Sequence, residues 1–282
     1  MIAARPSRST ALRFAAAAVL FATLACRDSA AKGDEPPRRP TAGAANVRSL
    51  EPLSEVVIAR PSQPYTVAPV ADGGSIKGTV TVSSPLQPNP PQPTGRDSAL
   101  CGASVADESV AQQGSSLGGV VVWLDDVRRG KPVPLERRLE LESDHCRLTP
   151  RVQAGVVASA VNVIGHDDFR QHLRFLAAGE KEPRAAILLG RDEQVIPTEL
   201  PFKVPGMVVV RDVDHPWPTA YLAVFDHPYF AVTAPNGAFT IDGVPPGRYT
   251  VRAWHERAKK SEQAVQLSSG GTATVSIVLQ AK

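Results

Sequence analysis

The chain has 282 residues, 43% of them hydrophobic, 21% charged and 5% aromatic, with a formal net charge of +3. The excess sits in residues 1–25, which hold Arg5, Arg8 and Arg13 and no acid, so the other 28 of 31 basic residues balance 28 acidic ones. A neutral body lacks both the basic footprint of a nucleic-acid binder and a polybasic membrane patch. Twenty-six Pro and 21 Gly set among β-branched runs exclude a helical bundle, and the length leaves room for two domains.

The three arginines precede Phe14–Ala25, an apolar run of 12 residues. That is short for a bilayer span and suits the core of a secretory signal over residues 1–25. The run closes on Thr23-Leu24-Ala25-Cys26, which resembles a bacterial lipobox, with Thr23 in place of the usual Leu. The expectation is an exported protein of the cell envelope or periplasm, anchored to the membrane by a lipid on Cys26; plain secretion is the alternative. Export leaves Cys101 and Cys146 in a compartment that permits disulfides, and their pairing is expected. Two buried thiols or one metal thiolate are the competing readings.

Residues 26–72 hold Pro36, Pro37, Pro40, Pro52, Pro61, Pro64 and Pro69 among small and charged residues and read as a disordered linker, with Val56–Ile58 as a local docking patch. From Gly73 the pattern changes. Ile76–Val82 alternates with period two and predicts a strand. Further strands follow at Val120–Leu124, Gly155–Ile164, Ala185–Leu189 and Met207–Arg211, each bounded by Gly, Pro or Asp. The helical spacing of Phe169, Leu173 and Leu176 marks Asp167–Ala178 as the one helical piece. The charged stretch Glu136–Glu142 reads as a solvated face. Over the last 57 residues, Tyr229–Thr233 and Phe239–Ile241 flank Asn236-Gly237, a type I′ hairpin signal. Val244-Pro-Pro-Gly247 then turns the chain into Tyr249–Trp254, and Gly270-Gly271 into Thr272–Leu279. Short strands at this spacing predict antiparallel sandwiches.

Catalytic signatures are missing: there is no phosphate-binding Gly-rich loop, no Gly-x-Ser-x-Gly elbow, and His255-Glu256 lacks the second His of a zincin helix. The chain reads as a non-enzyme. Trp123, Trp217 and Trp254 read as core or inter-domain packing, with a sugar-stacking platform as the functional alternative. His227 and His255 read as hydrogen-bonded residues at a domain junction.

Four stretches are specific enough to carry a likeness: Asp168-Phe-Arg-Gln-His172, Asp212-Val-Asp-His215-Pro-Trp217-Pro218, His227-Pro-Tyr-Phe-Ala-Val-Thr233, and Pro245-Pro-Gly running to Trp254-His-Glu256. Over residues 73–265 the chain resembles exported bacterial proteins that join a plastocyanin-like (cupredoxin) domain to a carboxypeptidase regulatory-like domain. The resemblance implies an all-β fold: a cupredoxin-like β-sandwich over 73–225 and a small transthyretin-like sandwich over 226–282. In copper-binding members the first ligand, a His four residues after an Asp, maps onto His172. The others lie on one loop as Cys-x-x-His-x-x-Met, which here reads Asp212-x-x-His215-x-x-Pro218.

Two imidazoles survive, while the thiolate and thioether positions hold a carboxylate and a proline. A blue-copper centre depends on a short Cu–thiolate bond and a weak axial ligand, so none is expected here. His172, Asp212 and His215 then form either a relic site hydrogen-bonded within its loop or a site for Zn(II) or non-blue Cu(II), which His166 or Asp214 could complete. The expected role is a non-catalytic envelope binding or assembly protein without a resident cofactor. Its expected partner is an envelope protein or polysaccharide, with carbohydrate binding through the regulatory-like sandwich as an alternative.

Overall fold

The structure, a computed structural model, describes residues 58, 59, 61, 63–125 and 127–282. The expected signal, Cys26 and Val56-Val57 lie outside them. Among the described residues no helix is long and apolar enough to cross a membrane.

In chain order, the strands β1 (Thr66–Val67), β2 (Gly74–Val82), β3 (Gln92–Pro93), β4 (Ser104–Val105), β5 (Gln112–Gln113), β6 (Ser116–Leu117), β7 (Val121–Asp125) and β8 (Arg129–Gly130) come first, with a one-turn helix α1 (Ser98–Cys101) between β3 and β4. Next come β9 (Arg138–Asp144), β10 (Arg147–Thr149), β11 (Val152–Val156), β12 (Ala160–Gly165), β13 (Gln171–Ala177), β14 (Ala185–Leu189), β15 (Gln194–Val195), β16 (Gly206–Asp212) and β17 (Thr219–Phe225). The chain closes with β18 (Phe230–Val232), β19 (Ala238–Val244), β20 (Gly247–His255), β21 (Ala258–Leu267) and β22 (Thr272–Leu279).

The larger sheets form two sandwiches. The first joins the sheet β19-β2-β6-β5, on which β22 pairs in parallel with β2, to the sheet β18-β7-β20-β21. The second joins β11-β17-β16-β13-β14 to β10-β9-β12-β15. Ile76, Val80, Val122, Leu124, Ile241, Val251 and Ile277 fill the first core, and Leu141, Val163, Leu173, Phe175, Val210 and Leu222 the second. A third apolar cluster lies between the sandwiches and contains Val121, Trp123 and Trp254 from one and Met207, Val209, Tyr221, Ala223 and Phe225 from the other.

That third cluster explains a pattern in the sequence. In β7, Val122 and Leu124 face the first core while Val121 and Trp123 face the cluster between the sandwiches. In β17, Ala220, Leu222 and Val224 face the second core, and Tyr221, Ala223 and Phe225 face the same interface. Strands covered on both faces read as unbroken hydrophobic runs, because neither face meets water.

The all-β, two-sandwich expectation holds, but four details differ. The boundary expected at 225/226 cuts through a sandwich: β2 and β7 pair with β19, β22 and β20, because their inward side chains share a core with the C-terminal strands. The second sandwich, β9–β17, is thus inserted into the first. The linker expected to run to residue 72 is docked at its end: β1 pairs in parallel with β8, the Tyr65 hydroxyl donates to the Lys131 carbonyl at 2.6 Å, and Ile58 and Ala68 are buried. The helix expected at Asp167–Ala178 is strand β13, in which Leu173 and Phe175 point to the second core with period two.

The fourth difference is the turn at Asn236-Gly237. It links two sheets, since β18 pairs with β7 and β19 with β2. Only Gly237 has positive φ (76°), and its amide donates to the Ala234 carbonyl at 2.8 Å, so the turn is not type I′.

Candidate functional site

Asp212 ends β16, where its neighbour across the sheet is Leu173 of β13. From this position the carboxylate turns back on its own loop. Its Oδ1 accepts the His172 amide at 3.1 Å and the Asp214 amide at 3.0 Å, the second contact being an Asx-turn. Its Oδ2 lies 2.6 Å from His215 Nδ1. The Asp212 side chain is fully buried and that of His215 is 5% exposed, so this is an enclosed, charge-assisted network.

The His215 ring packs 4.5 Å from Phe169 and 5.3 Å from Trp217, centroid to centroid. Its far nitrogen, Nε2, faces Asp97 Oδ2 at 3.7 Å. The Trp217 indole nitrogen is buried without a hydrogen-bond partner. His172, by contrast, is half exposed and pairs through Nδ1 with Asp214 Oδ2 at 2.5 Å. The structure therefore gathers His172, Asp212, Asp214 and His215 in one corner and leaves out His166, which faces Asp192 at 3.9 Å. Asp168 pairs with Arg191 at 3.0 Å on the surface.

Two neighbouring residues, Asp97 and Asp167, complete the surroundings. Cys101 and Cys146 form a disulfide, with Cα atoms 5.7 Å apart, as expected from the sequence. The bridge ties α1 and the preceding turn, with Asp97, to the β9–β10 hairpin. Buried Asp167 supports the same hairpin by accepting the Cys146 amide at 2.9 Å and the Ser143 hydroxyl at 2.8 Å. The signal for Asp97 was its place four residues before Cys101.

Blue copper does not fit this donor set. The thiolate position carries a carboxylate whose oxygens are already committed to two amides and an imidazole, and Pro218 supplies no side-chain ligand. Nor do the described residues include any group of three or more His, Cys, Asp or Glu side chains arranged to hold a metal ion.

A second polar centre lies where the sandwiches meet. Arg151, between β10 and β11, donates through Nε and Nη2 to Glu256 at 2.6 and 2.9 Å and through Nη1 to the Thr219 carbonyl at 3.2 Å. The Tyr221 hydroxyl donates to the same Glu256 at 3.0 Å. Glu256 thus belongs to a structural clamp between the β20–β21 turn and the inserted sandwich. Beside it His255 is pushed down to about 4, chiefly by burial and then by the charges of Arg151, Lys282 and Arg257. His227, at the re-entry into the first sandwich, is also pushed down to about 4 by burial and stacks on Phe225 at 5.6 Å. The junction reading of both histidines agrees with these positions.

Fold and corner together define an all-β protein of two stacked sandwiches with a sulfur-free histidine–carboxylate corner. Residues 203–280 match the family model of the carboxypeptidase regulatory-like domain. The match takes in β16–β22 and leaves out β2 and β7, which complete the same sandwich in space. Among solved structures the chain is similar to a Cu-containing nitrite reductase (NirK) from Thermus scotoductus SA-01, at 20% identity over 36% of this chain and 24% of that one, TM-score 0.27. It is also similar to an amicyanin mutant in reduced Cu(I) form at pH 4, at 16% identity over 31% and 81% of the two chains, TM-score 0.26. A second Cu(I) amicyanin mutant is 15% identical over 33% and 96%, TM-score 0.26. The chain spans about a quarter of the nitrite reductase's length. A search of curated proteins gives no match.

Proposed function

We propose that the protein has a non-catalytic binding or assembly role in the cell envelope, exported and lipid-anchored through Cys26, on a cupredoxin-like sandwich without a blue-copper centre. The observation that carries the copper part is the state of Asp212: its carboxylate is consumed in holding His172, Asp214 and His215. The envelope part rests on the sequence of residues 1–26 and on a disulfide, a bond that persists in oxidising compartments. Adding Cu(II) to purified protein should give no intense blue absorption, and protein from its native envelope should carry no stoichiometric copper. Copper that cycles reversibly between oxidation states would overturn the proposal.

A second reading, Zn(II) or non-blue Cu(II) at His172, Asp212 and His215, draws on two separate imidazole–carboxylate pairs, His172 with Asp214 and His215 with Asp212, and needs the side chains to move, because no three of them are arranged around one point. Calorimetry with Zn(II) decides it, because equal heats from wild type and His215→Ala would remove the metal. Carbohydrate binding has no comparable support, since Trp123 and Trp254 are spent on the interface between the sandwiches.

A further inference from the structure

The piece of chain that closes over His215 is held down at few points. β3 and β4 pair only with each other, at two positions. Between them the turn Gly95–Asp97 and α1 bury no residue, and Leu100 is half exposed. Gly95 and Gly102 bracket this tip with φ of 59° and 74°, and a Cβ on either would meet nothing within 4 Å, so both can pivot. The base of the excursion is firmer. Leu86 and Val105 are buried, and Arg257 donates to the Gln87 carbonyl at 2.7 Å and to Asn89 Oδ1 at 3.0 Å.

Among the described residues, two polar or covalent links join this tip to the inserted sandwich: the Cys101–Cys146 bridge, and Asp97 Oδ2 facing His215 Nε2 at 3.7 Å. The two ends of the bridge differ. Cys146 is buried in the β9–β10 turn, its amide held by Asp167 at 2.9 Å, whereas Cys101 is partly exposed on α1. One end of the bridge is therefore fixed, and the other lies on the loose tip.

We propose that the bridge is a redox-operated strap that keeps the tip, residues 94–103, closed over His215, and that a dithiol opens it. The S–S bond between Cys101 and Cys146 breaks, and the two thiol hydrogens of the dithiol pass to these cysteines. The dithiol leaves as its own disulfide, oxidised by two electrons. The tip then keeps one 3.7 Å contact and no buried apolar side chain, which places it at the low end of local stability. Opening uncovers His215 Nε2 while Asp212 still holds the ring through Nδ1 at 2.6 Å. Access to the corner thus follows the redox state of the bridge. The inference concerns access alone and stands whatever the corner binds.

Carbethoxylation with diethyl pyrocarbonate tests it, read peptide by peptide by mass spectrometry on the full chain carrying Cys26→Ser. The six histidines act as mutual controls. His145, His166 and His172 are exposed and should react with or without dithiothreitol, whereas buried His227 and His255 should stay protected in both. His215 alone should change, reacting at least about tenfold faster after reduction. Cys101→Ser with Cys146→Ser should show the fast rate without dithiothreitol. Asp97→Asn, which keeps the bridge, should show the slow rate of the oxidised protein. Equal His215 rates before and after reduction, a fast rate in Asp97→Asn, or loss of protection at His227 and His255 together with His215 would each overturn the strap.

Discussion

Replacing Asp212 by Ala tests whether its carboxylate organises the corner. The substitution strips the His172 and Asp214 amides of their acceptor and His215 Nδ1 of its partner, in a place where the lost carboxylate was fully buried. Breaking a buried charged network by removing one member costs about 3–5 kcal/mol, and each orphaned buried donor contributes about 1–3 of that. Asp212→Asn should cost far less, because the amide oxygen still accepts from both backbone N–H groups and only the contact with His215 changes character. Urea unfolding of wild type and both variants gives the difference as a shift of the midpoint at constant slope. Hydrogen exchange at the His172 and Asp214 amides gives the local effect: protection should fall in the Ala variant and survive in Asn. The reasoning fails if Asp212→Ala costs less than about 1 kcal/mol, or if both amides keep their protection.

Two other perturbations have outcomes set by the structure. The Cys101–Cys146 bridge spans 45 residues, so chain entropy assigns it about 4 kcal/mol. The paired substitution Cys101→Ser with Cys146→Ser, or reduction with dithiothreitol, should lower the urea midpoint accordingly; an unchanged midpoint would mean that the bridge constrains nothing in the unfolded chain. His255 titrates at about 4 when folded and about 6.5 when unfolded. Between these values the unfolded chain binds the extra proton, so this contribution is complete above about pH 6.5 and is lost as pH falls toward 4, about 2 kcal/mol of it by pH 5. His255→Asn keeps an acceptor for the Arg257 amide, which donates to Nδ1 at 3.2 Å, and should flatten the loss between pH 7.5 and 5. A pH profile identical to wild type would show that protonation at this site is not linked to unfolding.

What the sequence revealed follows from how each strand is covered. Val120–Leu124 and Met207–Arg211 are legible as strands because burial on both faces makes them continuous β-branched runs. The same burial hid β17, whose Thr219–Phe225 run follows the loop of Asp212–Pro218 and carries the aromatic residues Tyr221 and Phe225. β9 was hidden by its charges. Arg138, Glu140, Glu142 and Asp144 point outward from an outer sheet, and of the inward Leu139 and Leu141 only the second is fully covered. β13 misled in the opposite way, since Phe169 lies before the strand and completes a helical spacing by coincidence. Strand partners were not legible at all. β2 meets β22 almost two hundred residues later, and hydrophobic alternation says which face is inside without naming the neighbour. At the corner, the motif spacing located His172, Asp212 and His215, whereas the nearness of Asp97 depends on the disulfide that holds its segment against β9–β10.

The insertion changes what a domain means in this chain. A fragment beginning at residue 226 would keep β18–β22 and lose β2, the strand on which both β19 and β22 pair, together with β7, on which β18 and β20 pair. The inserted sandwich alone would keep His172, Asp212 and His215 but lose Asp97 and Cys101, which the first sandwich contributes from its β3–β4 excursion. It would also expose Met207, Val209, Tyr221 and Phe225, now covered by Trp123 and Trp254, and leave Arg151 without Glu256. A buried apolar cluster and a bidentate ion pair therefore hold the two sandwiches together, and the histidine corner is a property of both.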